Sequence, residues 1–265
     1  MTLLGVYREK VFSPGKVRED AAILDATLQA LSQWGHRFRT LEAEAVGNFP
    51  IDYSCVLTMA QSAHALEILE AQQKRGSRII NSITSVRNCY RRPLIRLLGD
   101  AGLPIPRGEI VATDEAEGRV SFRSGASFWL KRGDVHAVQA GDVVRVGSAE
   151  ELAGALCHFK ERKIREILVQ EHVEGDVIKF YGASTSSYFS AFRASTGDDI
   201  TSGAEELRWL AWQAAKAIGL EIYGGDAIIT PKQDVLLIDF NDWPSFSRCR
   251  EAAANSIAGY IAGIL

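Results

Sequence analysis

LEIYGGDAIITPKQDVLLIDFNDWPSF, residues 220–246, is the stretch whose reading decides the fold. It reads as two short strands, 222–230 and 234–241, joined by a turn at Pro231, Lys232 and Gln233. Three oxygen donors fall on this hairpin: Asp226, Asp239 and Asn241. Asp239 and Asn241 are two positions apart, so strand alternation puts both side chains on one face. Asp226 lies 13 positions before Asp239, the separation a hairpin needs to set it opposite that pair. Two carboxylates and an amide oxygen suit a hard cation such as Mg²⁺, which keeps waters and takes further ligands from phosphate. The rival reading is ordinary turn chemistry at a strand end, with Asp226 a plain edge residue.

Working outward, the chain of 265 residues is 46% hydrophobic and 24% charged, a globular mixture long enough for two or three subdomains. A net charge of −3 argues against an unspecific nucleic-acid or membrane binder. No apolar run reaches the roughly 18 residues of a membrane-spanning helix, and the N-terminus lacks a signal-peptide pattern. The four cysteines (Cys55, Cys89, Cys157, Cys249) form no C-x-x-C pair, so a reducing, cytoplasmic setting is expected.

Upstream, the first hundred residues alternate strand and helix. Thr2–Tyr7, Tyr53–Met59 and Ser77–Ile80 read as buried strands. The helical stretches are one with apolar Ala22, Ile23, Ala26, Leu28 and Leu31, ended by Gly35, and a second at 61–74. This pattern implies a parallel α/β layer whose ligand edge gathers the loop 13–16 with Lys16, then Gln61-Ser62 and Asn81-Ser82. The loop 8–18 carries Arg8, Lys10, Lys16 and Arg18, either an anion receptacle or a solvated basic loop. Residues 86–101 read as one helix carrying Arg87, Arg91, Arg92 and Arg96. Gly102-Leu103-Pro104-Ile105-Pro106 then punctuates the chain near residue 100.

The remainder is strand-rich. Strands are expected at 109–112, 128–131, 143–146, 164–170, 177–182 and 188–193. Ser148 and Ser202, each with Glu three residues on, read as capping boxes that open helices. A final helix spans 250–264; its apolar Ile257, Ile261 and Leu265 face either their own domain or a second copy, as in a homodimer. The polar segment 132–141 reads as a flap, in which His136 is either a substrate ligand or a solvated histidine.

In this order the residues resemble the ATP-grasp superfamily over nearly the whole chain. The pieces that carry the likeness are Asn81, the arginine helix, Leu103–Pro106 and Lys131 at a strand end. Val169-Gln170-Glu171-His172-Val173, Asp176-Val177-Ile178-Lys179 and Asp226…Asp239-Phe240-Asn241 complete them. The resemblance implies a mixed α/β (α+β) architecture: a Rossmann-like N-terminal domain (1–100), a central ATP-grasp subdomain (101–170) and a C-terminal one (171–265). It implies ATP and Mg²⁺, with two ions expected and Mn²⁺ as an alternative, held by Asp226, Asp239 and Asn241. Carried over by position, Lys131 matches a lysine on the ATP phosphates, for which a strand-edge gatekeeper is the rival reading. Arg92, or its neighbour Arg91, takes the place of another phosphate-contacting lysine. Gln170, Glu171 and Val173 match the hinge that reads adenine, and Asp176 matches the acid on the ribose. Lys179 faces phosphate or substrate, while His172 is expected to be structural.

The resemblance also frames the reaction. Most members are carboxylate–amine ligases working through an acyl phosphate, in which Arg193 could stabilise the intermediate and act with Lys131 and Lys179. Such enzymes usually show Glu-x-Asn where this chain has Asp239-Phe240-Asn241. Asp at that place resembles inositol-phosphate kinases, which move the γ-phosphoryl group to an anionic polyol. A non-catalytic ATP-binding module is the third reading. In each, the expected partner is a small, anionic molecule near Lys16, Ser62, His136 and Arg193, with no nucleic acid and no membrane.

Overall fold

The computed structural model describes residues 2–48, 52–122, 125–134, 141–184 and 188–265, so His136 lies outside the described residues. Among these, the strands form three four-stranded sheets. The first contains β1 (Thr2–Tyr7), β2 (Arg37–Glu42), β3 (Cys55–Thr58) and β4 (Arg78–Ile80), all parallel in the order β2-β1-β3-β4. Helices α1 (Val17–Gln33) and α2 (Ala63–Lys74) supply its crossovers. Then come α3 (Ile83–Asn88) and α4 (Arg91–Asp100). The second sheet is antiparallel, ordered β5-β8-β6-β7: β5 (Gly108–Ala112), β6 (Phe128–Arg132), β7 (Val143–Val146) and β8 (Glu166–Glu171), with α5 (Ala149–Glu161) before β8. The third is ordered β10-β9-β11-β12: β9 (Asp176–Ala183), β10 (Tyr188–Arg193), β11 (Ile222–Ile229) and β12 (Val235–Asp242). Helix α6 (Glu205–Ile218) precedes its hairpin and α7 (Arg250–Ile264) follows it.

Three local expectations are corrected. Strand β2 carries no apolar period because it is an edge strand, exposed along most of its length. The single arginine helix is two helices, broken at Tyr90, with Pro93 in the first turn of α4, where the N–H it lacks has no helical partner anyway. The break scatters the arginines: Arg87 reaches Glu70 at 3.0 Å and Arg96 reaches Asp100 at 3.2 Å, while Arg91 turns inward. Ser148 does cap α5, accepting from Glu151 N–H, whereas α6 begins behind Ala204 without a side-chain cap.

The two ends of the chain share one core. Leu24, Leu28 and Leu31 of α1 pack with Ile257 and Ile261 of α7 and with Trp243 and Phe246 after the hairpin, all fully buried. Helix α7 therefore packs on its own chain. A polar clamp fastens the parallel sheet to the hairpin. Asn81, fully buried, accepts from the N–H groups of Glu221 and Ile222 at 2.8 Å each and donates to Ile222 O at 2.6 Å. Trp243 Nε1 donates to Ile80 O at 3.0 Å. Among the described residues no helix is long and apolar enough to cross a membrane.

Candidate active site

A cavity of about 340 Å³ lies between the second and third sheets. Strand alternation explains its lining. From β6 and β8, Trp129, Lys131 and Gln170 share one face, since Trp129 pairs with Gln170 and Lys131 lies two residues on. From the third sheet, Val177, Ile228 and Asp226 look back at them. One half is thus apolar, completed by Pro106, Val143 and Ile238, and the other is charged. The segment Glu171–Val173 forms the edge, and its Glu171 and His172 N–H groups already donate to Arg107 O and Ser127 O. His172 also orients Trp129: its Nδ1 accepts from Trp129 Nε1 at 3.0 Å, which leaves Nε2–H to donate to Glu174 at 2.9 Å.

The hairpin supplies the charged end. Asp226 pairs directly with Asp239 across β11 and β12, and Asn241 lies one step further on the same face, opposite Gly224. The register shifts between Asp226 and Ala227, so Ile238 is the extra residue of a β-bulge. On one side of the bulge Val235 and Leu237 face the core, on the other Phe240 and Asp242 do, and Ile238 and Asp239 both reach the cavity. The bulge needs Gly225: a Cβ there would stand 2.2 Å from Asp239 O.

Three cations surround the two carboxylates. Lys179 Nζ donates to Asp226 at 2.9 Å, and Arg91 Nη1 to Asp239 at 3.0 Å. Lys131 Nζ reaches Ile238 O at 3.4 Å. Arg91 is 3% exposed and its Nε has no partner among the described residues; Lys131 is 7% exposed. Burial, and then the nearby Arg91 charge, push the Lys131 ammonium down to about 8, against the pull of Asp239 and Asp226. Burial pushes the Asp226 carboxyl up against the attraction of Lys179. Burial also disfavours the Lys179 charge, but Asp226 outweighs it and holds the ammonium above its ordinary value.

Not every expected residue converges here. Arg91, not Arg92, enters the cavity; the Arg92 guanidinium is on the surface, paired with Glu166 at 2.6 Å. Arg193 stands opposite Ile178 and Asp176 opposite Ile229, so both belong to the face of the third sheet turned away from Lys179 and Asp226. They bond to each other and line no part of the cavity. That placement does not bring Arg193 beside Lys131 and Lys179, nor Asp176 onto the cavity face of the sheet. Two residues of the basic loop are committed elsewhere. Arg8 donates to Met59 O, Asp242 O and Trp243 O, and Glu9 accepts from the N–H groups of Gln61 and Ser62. The N-terminus of α2, the place in this region best suited to an anion, is filled by the chain's own carboxylate. Lys16 is exposed at the start of α1. Arg91, the alternative to Arg92 in the sequence, lines the cavity, and among the lining residues that sequence reasoning missed are Trp129, Val177 and Ile228. The last three each lie two positions from Lys131, Lys179 or Asp226, so period-two counting from those residues finds them.

For a divalent cation the donor set is all oxygen: Asp226, Asp239 and Asn241 on one sheet face. Among the described residues no three His, Cys, Asp or Glu side chains gather as a self-sufficient metal cage. The set therefore fits a hard ion that takes its remaining ligands from water and phosphate.

No family model and no curated protein sequence matches the chain. Solved structures do. A RimK domain ATP-grasp protein from Sphaerobacter thermophilus aligns over 98% of this chain and 100% of its own, with TM-score 0.75 and 16% identity. D-alanyl-alanine synthetase A from Vibrio cholerae aligns over 99% and 96%, with TM-score 0.74 and 10% identity. The ATP-grasp ligase PsnB, in complex with minimal precursor, Mg and ADP, aligns over 98% and 97%, with TM-score 0.70 and 16% identity. Agreement over 98–99% of the chain, at TM-scores of 0.70 to 0.75, establishes that this protein has the ATP-grasp fold.

Proposed function

We propose that the chain is a Mg²⁺-ATP-dependent carboxylate–amine ligase that binds ATP in this cavity. One observation carries the reading. Two cationic side chains, Arg91 and Lys131, are almost fully buried at the end of an apolar slot, with Lys179 beside them. Buried cations in excess of their counter-charges call for a polyanion, and the apolar half suits a flat base. The adenine lies between Trp129, Val143 and Gln170 on one side and Val177, Ile228 and Ile238 on the other, with backbone groups of Glu171–Val173 at its edge. Arg91, Lys131 and Lys179 neutralise the phosphates. Asp226, Asp239 and Asn241 would hold Mg²⁺, which supplies charge neutralisation across the phosphate oxygens when bound. The acceptor carboxylate attacks the γ-phosphorus and ADP leaves; an amine then attacks the acyl phosphate and phosphate leaves. Positioning and charge neutralisation account for most of such catalysis. Arg8 and the α2 N-terminus are already taken, which removes two features a polyanionic acceptor would use and supports an ordinary carboxylate.

The test is an acceptor panel of amino acids, dicarboxylates and short peptides with Mg²⁺-ATP and hydroxylamine. ADP and free phosphate are expected in equal amounts, with a hydroxamate formed. ADP without free phosphate, and an acceptor heavier by one phosphoryl group, would instead identify the kinase reading.

A pH dependence follows from Lys131. In the free protein its ammonium loses its proton near pH 8 instead of the ordinary 10.5. Bound phosphate stabilises the charged form and raises that value again. ATP binding above pH 8 therefore takes up a proton, and affinity falls by up to about tenfold per pH unit between 8 and 10.5. For stability the sign is opposite: the charged ammonium costs the folded state below pH 8, and that cost shrinks as pH rises toward 10.5. Calorimetry in buffers of different ionisation enthalpy reads the proton uptake, and Lys131→Arg is expected to abolish it. Uptake unchanged in that variant would assign it to another group.

A further inference from the structure

We propose that Gln61 is a positioning residue of the nucleotide site, holding Arg91 and the Asp239–Asn241 segment at one separation although it does not line the cavity. This rests on the reading of the cavity as a Mg²⁺-ATP site. Gln61 is 7% exposed, just before α2, and bonds three separate parts of the chain. Its Nε2 donates to Asp242 Oδ1 at 2.6 Å, its carbonyl accepts from Tyr90 Oη at 3.0 Å, and its N–H donates to Glu9 at 2.9 Å.

Two of these partners adjoin the site. Tyr90 is the N-cap residue of α4, directly before Arg91, and Asp242 ends β12, three residues after Asp239. The Arg91–Asp239 pair at 3.0 Å closes a ring: Arg91, Tyr90, Gln61, Asp242, and back along β12 to Asp239. A second ring shares the Gln61–Asp242 bond. Arg8 donates to Asp242 O and Trp243 O at 3.0 Å each, and its neighbour Glu9 accepts from Gln61 N–H. A shift of α4 against β12 must therefore stretch a bond in one ring or the other. Sites that place charges around a phosphate chain tolerate only about 0.5 Å of misplacement, so the shared bond governs whether Arg91 and Asp239 meet the ligand together.

The experiment compares the unaltered protein with Gln61→Met, Gln61→Glu and the exchange Gln61→Glu/Asp242→Asn. The exchange restores the bond with donor and acceptor reversed. Each protein is titrated with the non-hydrolysable β,γ-imido analogue of ATP in the presence of Mg²⁺, alongside a thermal melt. Both single variants are expected to bind the analogue about tenfold more weakly, as losses of supporting groups around ligand-holding residues do, and the exchange recovers most of the affinity. Affinity within about twofold of the unaltered protein in Gln61→Met, with a lowered melting temperature, overturns the proposal: Gln61 then serves the fold alone. Should the unaltered protein bind no analogue, the nucleotide reading falls, and a ligand-free measurement still decides the role of Gln61. In a urea double-mutant cycle of Gln61→Met with Arg91→Met, the unfolding constants are expected to depart from additivity by about fivefold; additivity overturns the proposal.

Discussion

Asp239→Ala is expected to abolish ATP-dependent turnover and also to lower the unfolding free energy by about 3 kcal/mol, measured by urea denaturation. From the sequence, Asp239 is an oxygen ligand for a cation. The structure adds a second duty. Asp239 is the counter-charge of Arg91, which is 3% exposed and already has an unpartnered Nε. Removing the carboxylate leaves a guanidinium buried without compensation. The double variant Arg91→Met/Asp239→Leu exchanges the pair for apolar groups of similar volume, and its stability is expected to return to within about 1 kcal/mol. It should still fail to bind the imido analogue of ATP. Unchanged turnover in Asp239→Ala sinks the metal assignment, and unchanged stability sinks the pairing with Arg91.

Asn81→Ala is expected to cost about 4 kcal/mol of stability without touching the cavity lining. The side chain satisfies three backbone groups of Glu221 and Ile222, at the point where the parallel sheet meets β11. Alanine fills part of the volume but leaves those groups buried and unpaired, each at a penalty of about 1–3 kcal/mol. Trp243, bonded to Ile80 O beside it, limits how far water can enter. A loss below about 1 kcal/mol in urea denaturation would show that the junction holds without Asn81.

What was legible in the sequence follows from periodicity. The strands Thr2–Tyr7, Val143–Val146 and Tyr188–Arg193 and the helix Arg250–Ile264 are found at the expected bounds: β1 and β10 are buried on both faces and show as apolar runs, and α7 buries one face and shows a helical period. Strand β2 buries almost nothing and shows none. Within the hairpin, alternation predicts that Asp239 and Asn241 share a face, and the register gives each a partner on β11. The bulge at Ile238 was not legible: it moves the core face from Val235 and Leu237 to Phe240 and Asp242, and only the pairing with β11 shows where the alternation changes phase. Arg193 shows the same limit from the other side. Its type suits a phosphate and its distance in sequence from Lys179 looks close, yet one register step puts it on the opposite face.

By itself the sequence determined the mixed α/β class, the order of the strands and helices other than β2 and the break between α3 and α4, and the oxygen-rich hairpin, since these depend on local periodicity and on residue type. Only the tertiary structure decided which charges meet. Arg91 rather than Arg92 turns inward because the chain breaks at Tyr90, Arg8 is taken up by Asp242 from the far end of the chain, and Glu9 by Gln61. Such pairings join residues more than fifty or two hundred positions apart. They are set by sheet register and helix breaks, which no short window of sequence contains.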